Sequence, residues 1–400
     1  MVHKIGSEEC PIGGNNTDGS CEAENCTCAV RYMIRCHVIS RQSELHLQNA
    51  TYRPHVVRTQ RREAVIFASC EIVSHAMPVP DEQSPTPTRE DGVQTISLPD
   101  STRESGKLSP ELMAEALTFL HRDGIIILAN AIDIDHLDAL QAILGPEAEQ
   151  VAQDPNHHFN FGRETRNMDQ APPLDPELMY RDIWANPAAV SILKNVMGPE
   201  LVCHYANGNT ALQATGRQPV HSDIHTAHPL FPFAYAINIP LCDVTAENGS
   251  TEMWPGSHRD SNIDQHGCEG SGEGHLTIKS SLIEERRAKC PPVQPSSRKG
   301  SLIIRDIRLW HAGMPNRTPA PRIMLAFVVQ PKWFQAPSKV LIPEKARAVV
   351  ETWQKETGLE YAAQWVDGDV DHREVTSDEV DFSSGNARIK ELQHCMHVMF

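Results

Sequence analysis

The segment Gln218-Pro219-Val220-His221-Ser222-Asp223 sets an imidazole and a carboxylate two residues apart. In an extended chain residues i and i+2 point to the same face, so His221 and Asp223 can reach one metal ion together. One neutral nitrogen and one carboxylate oxygen leave a third facial position to be supplied from elsewhere. Two histidines and one carboxylate leave coordination positions open on Fe(II). Oxygen chemistry needs such openings: two for a bidentate 2-oxo acid and one for O2. By itself an H-x-D triplet equally describes a strand-end histidine beside an unrelated surface aspartate, so the surrounding sequence has to decide.

His225 and His228 follow in the run HSDIHTAH. They could extend the pair into a two-metal cluster or line the mouth of a pocket; a second metal would need further carboxylates in reach. Downstream, Asn248-Gly249-Ser250-Thr251-Glu252-Met253-Trp254-Pro255-Gly256-Ser257-His258 reads as a tight turn, a strand and a second turn. Ser257 and His258 fit a structural turn, and Trp254 and Trp310 fit core or pocket wall. Gly300-Ser301-Leu302-Ile303-Ile304-Arg305-Asp306 leads to Trp310-His311-Ala312-Gly313, and Asn316-Arg317-Thr318-Pro319-Ala320-Pro321-Arg322 opens an apolar strand.

An H-x-D pair, an N-G turn running into P-G-S-H, a distal histidine after a strand, and an arginine eleven residues beyond it occur here in order. In this the chain resembles the phytanoyl-CoA dioxygenase family of Fe(II)/2-oxoglutarate oxygenases. The resemblance covers about Leu108 to Trp333, including the helix-then-strand opening around His121-Arg122-Asp123-Gly124. It implies a double-stranded β-helix (a jelly roll, cupin-like) buttressed by N-terminal helices. It assigns His221, Asp223 and His311 to iron and Arg322 to the distal carboxylate of 2-oxoglutarate, where a planar guanidinium pairs bidentately. It further assigns Gln218 and Thr251 to cosubstrate binding. The activity implied is oxidation of a small organic molecule with O2, releasing succinate and CO2. Related halogenases carry a small residue in place of the carboxylate, so Asp223 implies hydroxylation or a related oxidation.

Substrate residues are expected in the loop-rich stretch Asn156 to Asp175, with His157, His158, Phe159, Phe161 and Arg163, and at Phe231. The core shows no strong Lys/Arg cluster for the phosphates of coenzyme A, which favours a secondary-metabolite-type substrate over an acyl-CoA. Two other classes stay open on the residues alone: a metal-dependent hydrolase built on HSDIHTAH, and a catalytically silent jelly-roll binding module.

The elements that must position these residues begin near Ser109. Ser109 and Pro110 suit the N-cap and first position of a helix whose apolar stripe is Leu112, Met113, Ala116, Leu117 and Leu120. Gly124 ends it, and Ile125 to Leu128 is a short buried strand. Further helices are expected over Asp135 to Leu144, stopped by Gly145-Pro146, over Ala188 to Val196, stopped by Gly198-Pro199, and over Glu344 to Lys355. From Leu201 to Lys332, short apolar runs alternate with Gly, Pro, Asn and Asp turns: Leu201–Tyr205, Ala234–Ile239, Leu302–Ile304 and Ile323–Val329. This punctuation predicts a mainly β sandwich or barrel with flanking helices.

Residues 1–105 read as a disordered or loosely attached extension, 106–366 as the catalytic domain, and 367–400 as a charged tail. Six of the eleven cysteines fall in the first 70 residues. The cluster CEAENCTC lacks the two matched pairs of a structural zinc site, so free thiols in a reducing compartment are the better reading. The basic patch Arg53 to Glu63 reads as a solvated segment. A net charge of -16 argues against nucleic-acid or anionic-membrane partners. No run approaches the roughly 18 apolar residues of a membrane span. Neither a secretory leader nor a C-terminal SKL signal is seen, so the expected location is cytoplasmic.

Overall fold

The structure, a computed structural model, describes residues 92–267, 275–377 and 380–386. The cysteine cluster, the basic patch and the last residues of the tail lie outside the described residues. In chain order the strands are β1 (Thr95–Ser97), β2 (Ile125–Ala129), β3 (Asn167–Asp169), β4 (Leu201–Ala211), β5 (Tyr235–Pro240), β6 (Glu252–Met253), β7 (Leu302–Asp306), β8 (His311–Ala312), β9 (Arg322–Pro331), β10 (Val340–Pro343), β11 (Leu359–Tyr361) and β12 (Ala363–Val366). The helices are α1 (Asp100–Ser105), α2 (Pro110–Asp123), α3 (Ile134–Val151), α4 (Arg181–Trp184), α5 (Pro187–Met197), α6 (Ser280–Lys289) and α7 (Arg347–Thr357).

The large sheet runs β1-β2-β7-β5-β9-β4-β11, with β3 attached to β4. Period-2 alternation decides what each face does. On β9, Ile323, Leu325, Phe327 and Val329 point to the helix-covered core. Arg322, Met324, Ala326 and Val328 point the other way, into a cavity. On β7, Leu302 and Ile304 face the core while Ile303 and Arg305 face the cavity. Facing this sheet is a smaller one: the β6-β8 pair, widened by single bridges from His221 to His311 and Thr277 and from Met253 to Val293. Two such facing sheets make a double-stranded β-helix, with helices packed on the outer face of the larger one.

Local signals explain the helix starts and stops. The Ser109 hydroxyl accepts from Leu112 N–H at 3.3 Å, and Gly124 ends α2 at φ 77°. Asn186 caps α5 in the same way, accepting from Ala189 N–H at 3.0 Å. One expectation fails. The helix expected to stop at Gly145-Pro146 continues to Val151. Proline removes one helical hydrogen bond, but Ala148 and Val151 on the following turns bury against Phe159, Met168 and Leu212. That packing outweighs the local break.

The flanks also differ from the expected boundaries. Residues 92–105 belong to the fold: β1 pairs in parallel with β2, and Val93, Ile96 and Leu98 are buried. The short run Ile96-Ser97-Leu98 was hidden by its polar surroundings. At the other end, residues of 367–377 and 380–386 pack on the domain, with Ser384 buried. The expected last helix opens with a single 3-10 turn at Glu344–Ala346 before α7.

Leu325 lies fully buried at the centre of the large sheet. Leu325→Ala is expected to cost about 2–5 kcal/mol of unfolding free energy, and Ser109→Ala about 1 kcal/mol. Urea denaturation measures both; equal effects would mean that the sheet-helix core is not the dominant packing unit.

Candidate active site

His221 and His311 sit directly opposite one another on the small sheet. His221 N–H donates to His311 O at 2.9 Å, and His311 N–H donates to His221 O at 2.8 Å. Residues opposed in an antiparallel pair share a face, so both imidazoles project together, their ring centroids 4.2 Å apart. Asp223 is two residues on from His221, and its own N–H is held by Ile307 O at 3.0 Å. Asp223 Oδ1 lies 3.3 Å from His311 Nε2 and 4.0 Å from His221 Nε2. Ligand atoms of the three residues all fall within 4.8 Å of one another, the geometry of a group that could hold a metal ion.

The outward nitrogens are fixed as well. His221 Nδ1 meets Pro219 O at 2.9 Å and His311 Nδ1 meets Leu309 O at 3.0 Å. A carbonyl only accepts, so each Nδ1 carries the proton and each Nε2 presents its lone pair to the shared space. Burial, with His311 beside it, holds His221 at about 3, so the ring is neutral. Arg305 Nη2 donates to Asp223 Oδ2 at 2.6 Å. Burial alone would raise the Asp223 carboxyl, but the Arg305 guanidinium and His311 outweigh it and hold it well below the ordinary carboxylate range. Two imidazole nitrogens and one carboxylate are a donor set suited to Fe(II) with open positions.

Arg322 opens β9 and is 2% exposed. Its Nη1 and Nη2 reach only the carbonyls of Asn209 and Gly249, at 3.3 and 3.2 Å, and its Nε has no partner among the described residues. Burial lowers its pKa to about 10. No carboxylate pairs with it among the described residues, and a buried cation without a counter-charge is costly. A carboxylate-bearing ligand would satisfy it. The N-G turn and the loop before β9 both serve this residue. Gly249, at φ 84°, sits so close to Met314 O that a Cβ would approach it to 2.7 Å, and Gly249 O accepts from Arg322. Asn316 closes the loop by donating to Ala211 O and Ala320 O.

A cavity of about 670 Å³ brings these residues together: His221, Asp223, His311, Arg322, Gln218 and Thr251 all line it. Gln218 Oε1 accepts from Gly313 N–H at 2.7 Å, which orients its amide. From the expected substrate loop, His158 and Phe161 reach the cavity, and the Phe161 ring lies 4.4 Å from that of His221. His157, Phe159, Arg163 and Phe231 do not line it. His157 bonds Asp169 O, Phe159 is buried beneath the Arg163 guanidinium, and Phe231 stacks on Trp333 at the surface. His225 lines the cavity but faces His275, while His228 Nε2 meets Ser261 O. Neither joins a metal-binding group among the described residues. The P-G-S-H turn is a brace: Ser257 Oγ accepts from Trp310 N–H at 2.8 Å, next to His311.

Three features were missed by sequence reasoning. Arg305 was readable: a charged residue inside the buried run Leu302-Ile303-Ile304 needs an internal partner. Asn209 and Asn238 line the cavity from strands whose inner face had no sequence marker. Ser377, Val380, Asp381, Phe382 and Ser383 line it from the far end of the chain, and no local pattern signals that return.

The family model for phytanoyl-CoA dioxygenase (PhyH) matches residues 120–324. A dioxygenase named af480 from Aspergillus fumigatus is 26% identical over 149 residues, 36% of this chain and 42% of that protein. An ectoine dioxygenase from Nocardia farcinica is 25% identical over 239 residues, 54% of this chain and 78% of that protein. Similar solved structures include the epimerase SnoN in complex with Fe3+, alpha ketoglutarate and nogalamycin RO (18% identity, TM-score 0.43, covering 56% of this chain and 85% of that one). Another is EctD from S. alaskensis with 2-oxoglutarate and 5-hydroxyectoine (20% identity, TM-score 0.40, covering 56% and 76%).

Two measurements follow from the site's electrostatics. Removing the Asp223 clamp by Arg305→Met is expected to weaken Co(II) binding about 10–100-fold; unchanged affinity in a visible-absorption titration would show that Asp223 needs no clamp. Burial also holds His258 at about 4 and His221 at about 3, against an ordinary 6.5. The unfolded chain takes up these protons near 6.5 while the folded chain refuses them until far lower pH. Stability is therefore full above that value and is lost as pH falls. The urea midpoint of the metal-free protein should drop from about pH 7 to about pH 5, less steeply in His258→Gln; a flat profile would contradict this.

Proposed function

Because this chain belongs to the phytanoyl-CoA dioxygenase family of iron(II)- and 2-oxoglutarate-dependent dioxygenases, we propose that it oxidises a small, largely apolar organic molecule of the secondary-metabolite type, consuming O2 and releasing succinate and CO2. One observation carries this reading: a three-residue metal-ligating group and a buried guanidinium lacking a carboxylate partner line the same cavity.

In this reading His221 Nε2, Asp223 Oδ1 and His311 Nε2 hold Fe(II), and Arg322 grips the far carboxylate of 2-oxoglutarate with a bidentate fork. The iron, when bound, supplies the oxygen activation that protein side chains cannot. The chain's own work is placement. Arg305 keeps Asp223 ionised and turned so that Oδ2 is occupied and Oδ1 faces the two imidazoles. Gln218, its oxygen committed to Gly313, offers its amide N–H groups to the cosubstrate, and Thr251 offers its hydroxyl. Ile127, Ile303 and Val328 line the cavity and limit water around the reacting centre.

The lining supports this substrate class. Arg305 and Arg322 are its basic residues besides histidine among the described residues, and both already have work. Nothing there would meet the phosphates of a coenzyme A thioester. The dinuclear hydrolase alternative lacks its second metal group, since His225 and His228 turn to other partners.

Adding Fe(II) and 2-oxoglutarate under nitrogen should give the weak visible charge-transfer band of an iron-chelated 2-oxo acid. Its absence in well-folded protein would sink the oxygenase reading. Arg322→Ala should raise the 2-oxoglutarate concentration needed for that band by about 30-fold or more, since removing one partner of a buried charge pair costs about 2–5 kcal/mol. His311→Ala should abolish succinate formation; normal turnover in that variant would mean the third ligand is misassigned.

A further inference from the structure

The cavity has two chemically different ends. The inner face of β9 carries Arg322, Met324, Ala326 and Val328, and at about 3.3 Å per residue Val328 lies roughly 20 Å along the strand from Arg322. Tyr205 of β4 stands opposite Val328 in register and also lines the cavity. Across from it comes the C-terminal segment. The Phe382 ring meets Tyr205 edge-on, with centroids 5.7 Å apart and planes at 79°. Val380 and Asp381 line the cavity beside it.

The segment is held in place rather than merely lying there. Asp169, 1% exposed, accepts from Ser377 N–H at 2.8 Å and from the Ser377 hydroxyl. Further on, Asp381 N–H donates to Ser338 Oγ at 2.7 Å, and Ser384 Oγ donates to Phe334 O at 2.7 Å. The segment lies beyond the family match, which ends at residue 324, so this wall is not part of the matched region.

We propose that Phe382, paired with Tyr205, is the specificity-determining wall of the substrate end, and that it selects an uncharged molecule with a flat, ring-bearing apolar body. The inference rests on the proposed oxygenase reading and names its substrate class. Both residues line the cavity, and aromatic contacts with a ring-bearing partner contribute beyond buried area. The Asp381 carboxylate at the rim disfavours an anion.

The test uses the full chain loaded with Fe(II) and 2-oxoglutarate under nitrogen, with the neutral dye N-phenyl-1-naphthylamine as the probe. Its fluorescence rises on entering an apolar site. Phe382→Ala should weaken dye binding tenfold or more, Phe382→Leu, which keeps apolar bulk but no ring, threefold or more, and Phe382→Tyr, which keeps the ring, should stay within threefold of wild type. Ser377→Ala, which loosens the segment from Asp169 and leaves Phe382 intact, should weaken it threefold or more. In all four the 2-oxoglutarate titration should stay within twofold of wild type. The proposal is overturned if wild type does not bind the dye, if Phe382→Ala and Ser377→Ala bind it as wild type does, or if dye and 2-oxoglutarate binding fall together. Dye binding that depends on Phe382 without any 2-oxoglutarate band would overturn the oxygenase reading and leave the aromatic wall standing.

Discussion

The reciprocal hydrogen bonds between His221 and His311 are the constraint on which the site depends. Ninety residues separate the two in sequence, yet the two backbone bonds of one antiparallel pair fix their imidazoles on a common face. Asp223 joins them two residues on, held by its N–H to Ile307 O and by Arg305 at its carboxylate. The rest of the small sheet serves that pairing: Ser257 holds Trp310, Asp223 N–H is tied to Ile307, and Gln218 reaches Gly313. The geometry of the candidate metal group is therefore set mainly by main-chain hydrogen bonds.

Three buried arginines show how charge is apportioned around this centre. Arg308 forms a fork with Asp306 and ties down the carbonyls of Pro229 and Leu230, steadying the loop after the histidine-aspartate pair. Arg305 belongs to Asp223. Arg322 has only carbonyls. Of the three, Arg305 and Arg322 line the cavity, one with a carboxylate partner and one without, and an external anion there would offset the desolvation cost of Arg322.

Much of this was legible in the sequence. The H-x-D spacing, His311, Arg322 and the Ser109, Gly124 and Gly198 boundaries are local signals that tertiary packing left intact. What was not legible has a common cause. Pro146 failed as a helix stop because Ala148 and Val151 gain burial that only the folded chain supplies. Residues 92–98 were obscured because only three apolar residues, Val93, Ile96 and Leu98, sit in a polar stretch without a regular period. The Ser377 to Ser383 wall depends on a pairing with Asp169 across 208 residues, and no local pattern encodes such a distance. His157 and Phe159 show the converse: residues with suitable chemistry in the right loop, turned away by backbone geometry.

The central claim is that one metal centre and one anion-seeking arginine share a cavity and act on a single bound cosubstrate. Anomalous diffraction at the iron edge from crystals grown anaerobically with Fe(II) and 2-oxoglutarate tests it most directly. The account requires one iron peak between His221, Asp223 and His311, with the far carboxylate of 2-oxoglutarate on the Arg322 guanidinium. An iron peak at His225 and His275, or 2-oxoglutarate bound away from Arg322, would contradict it.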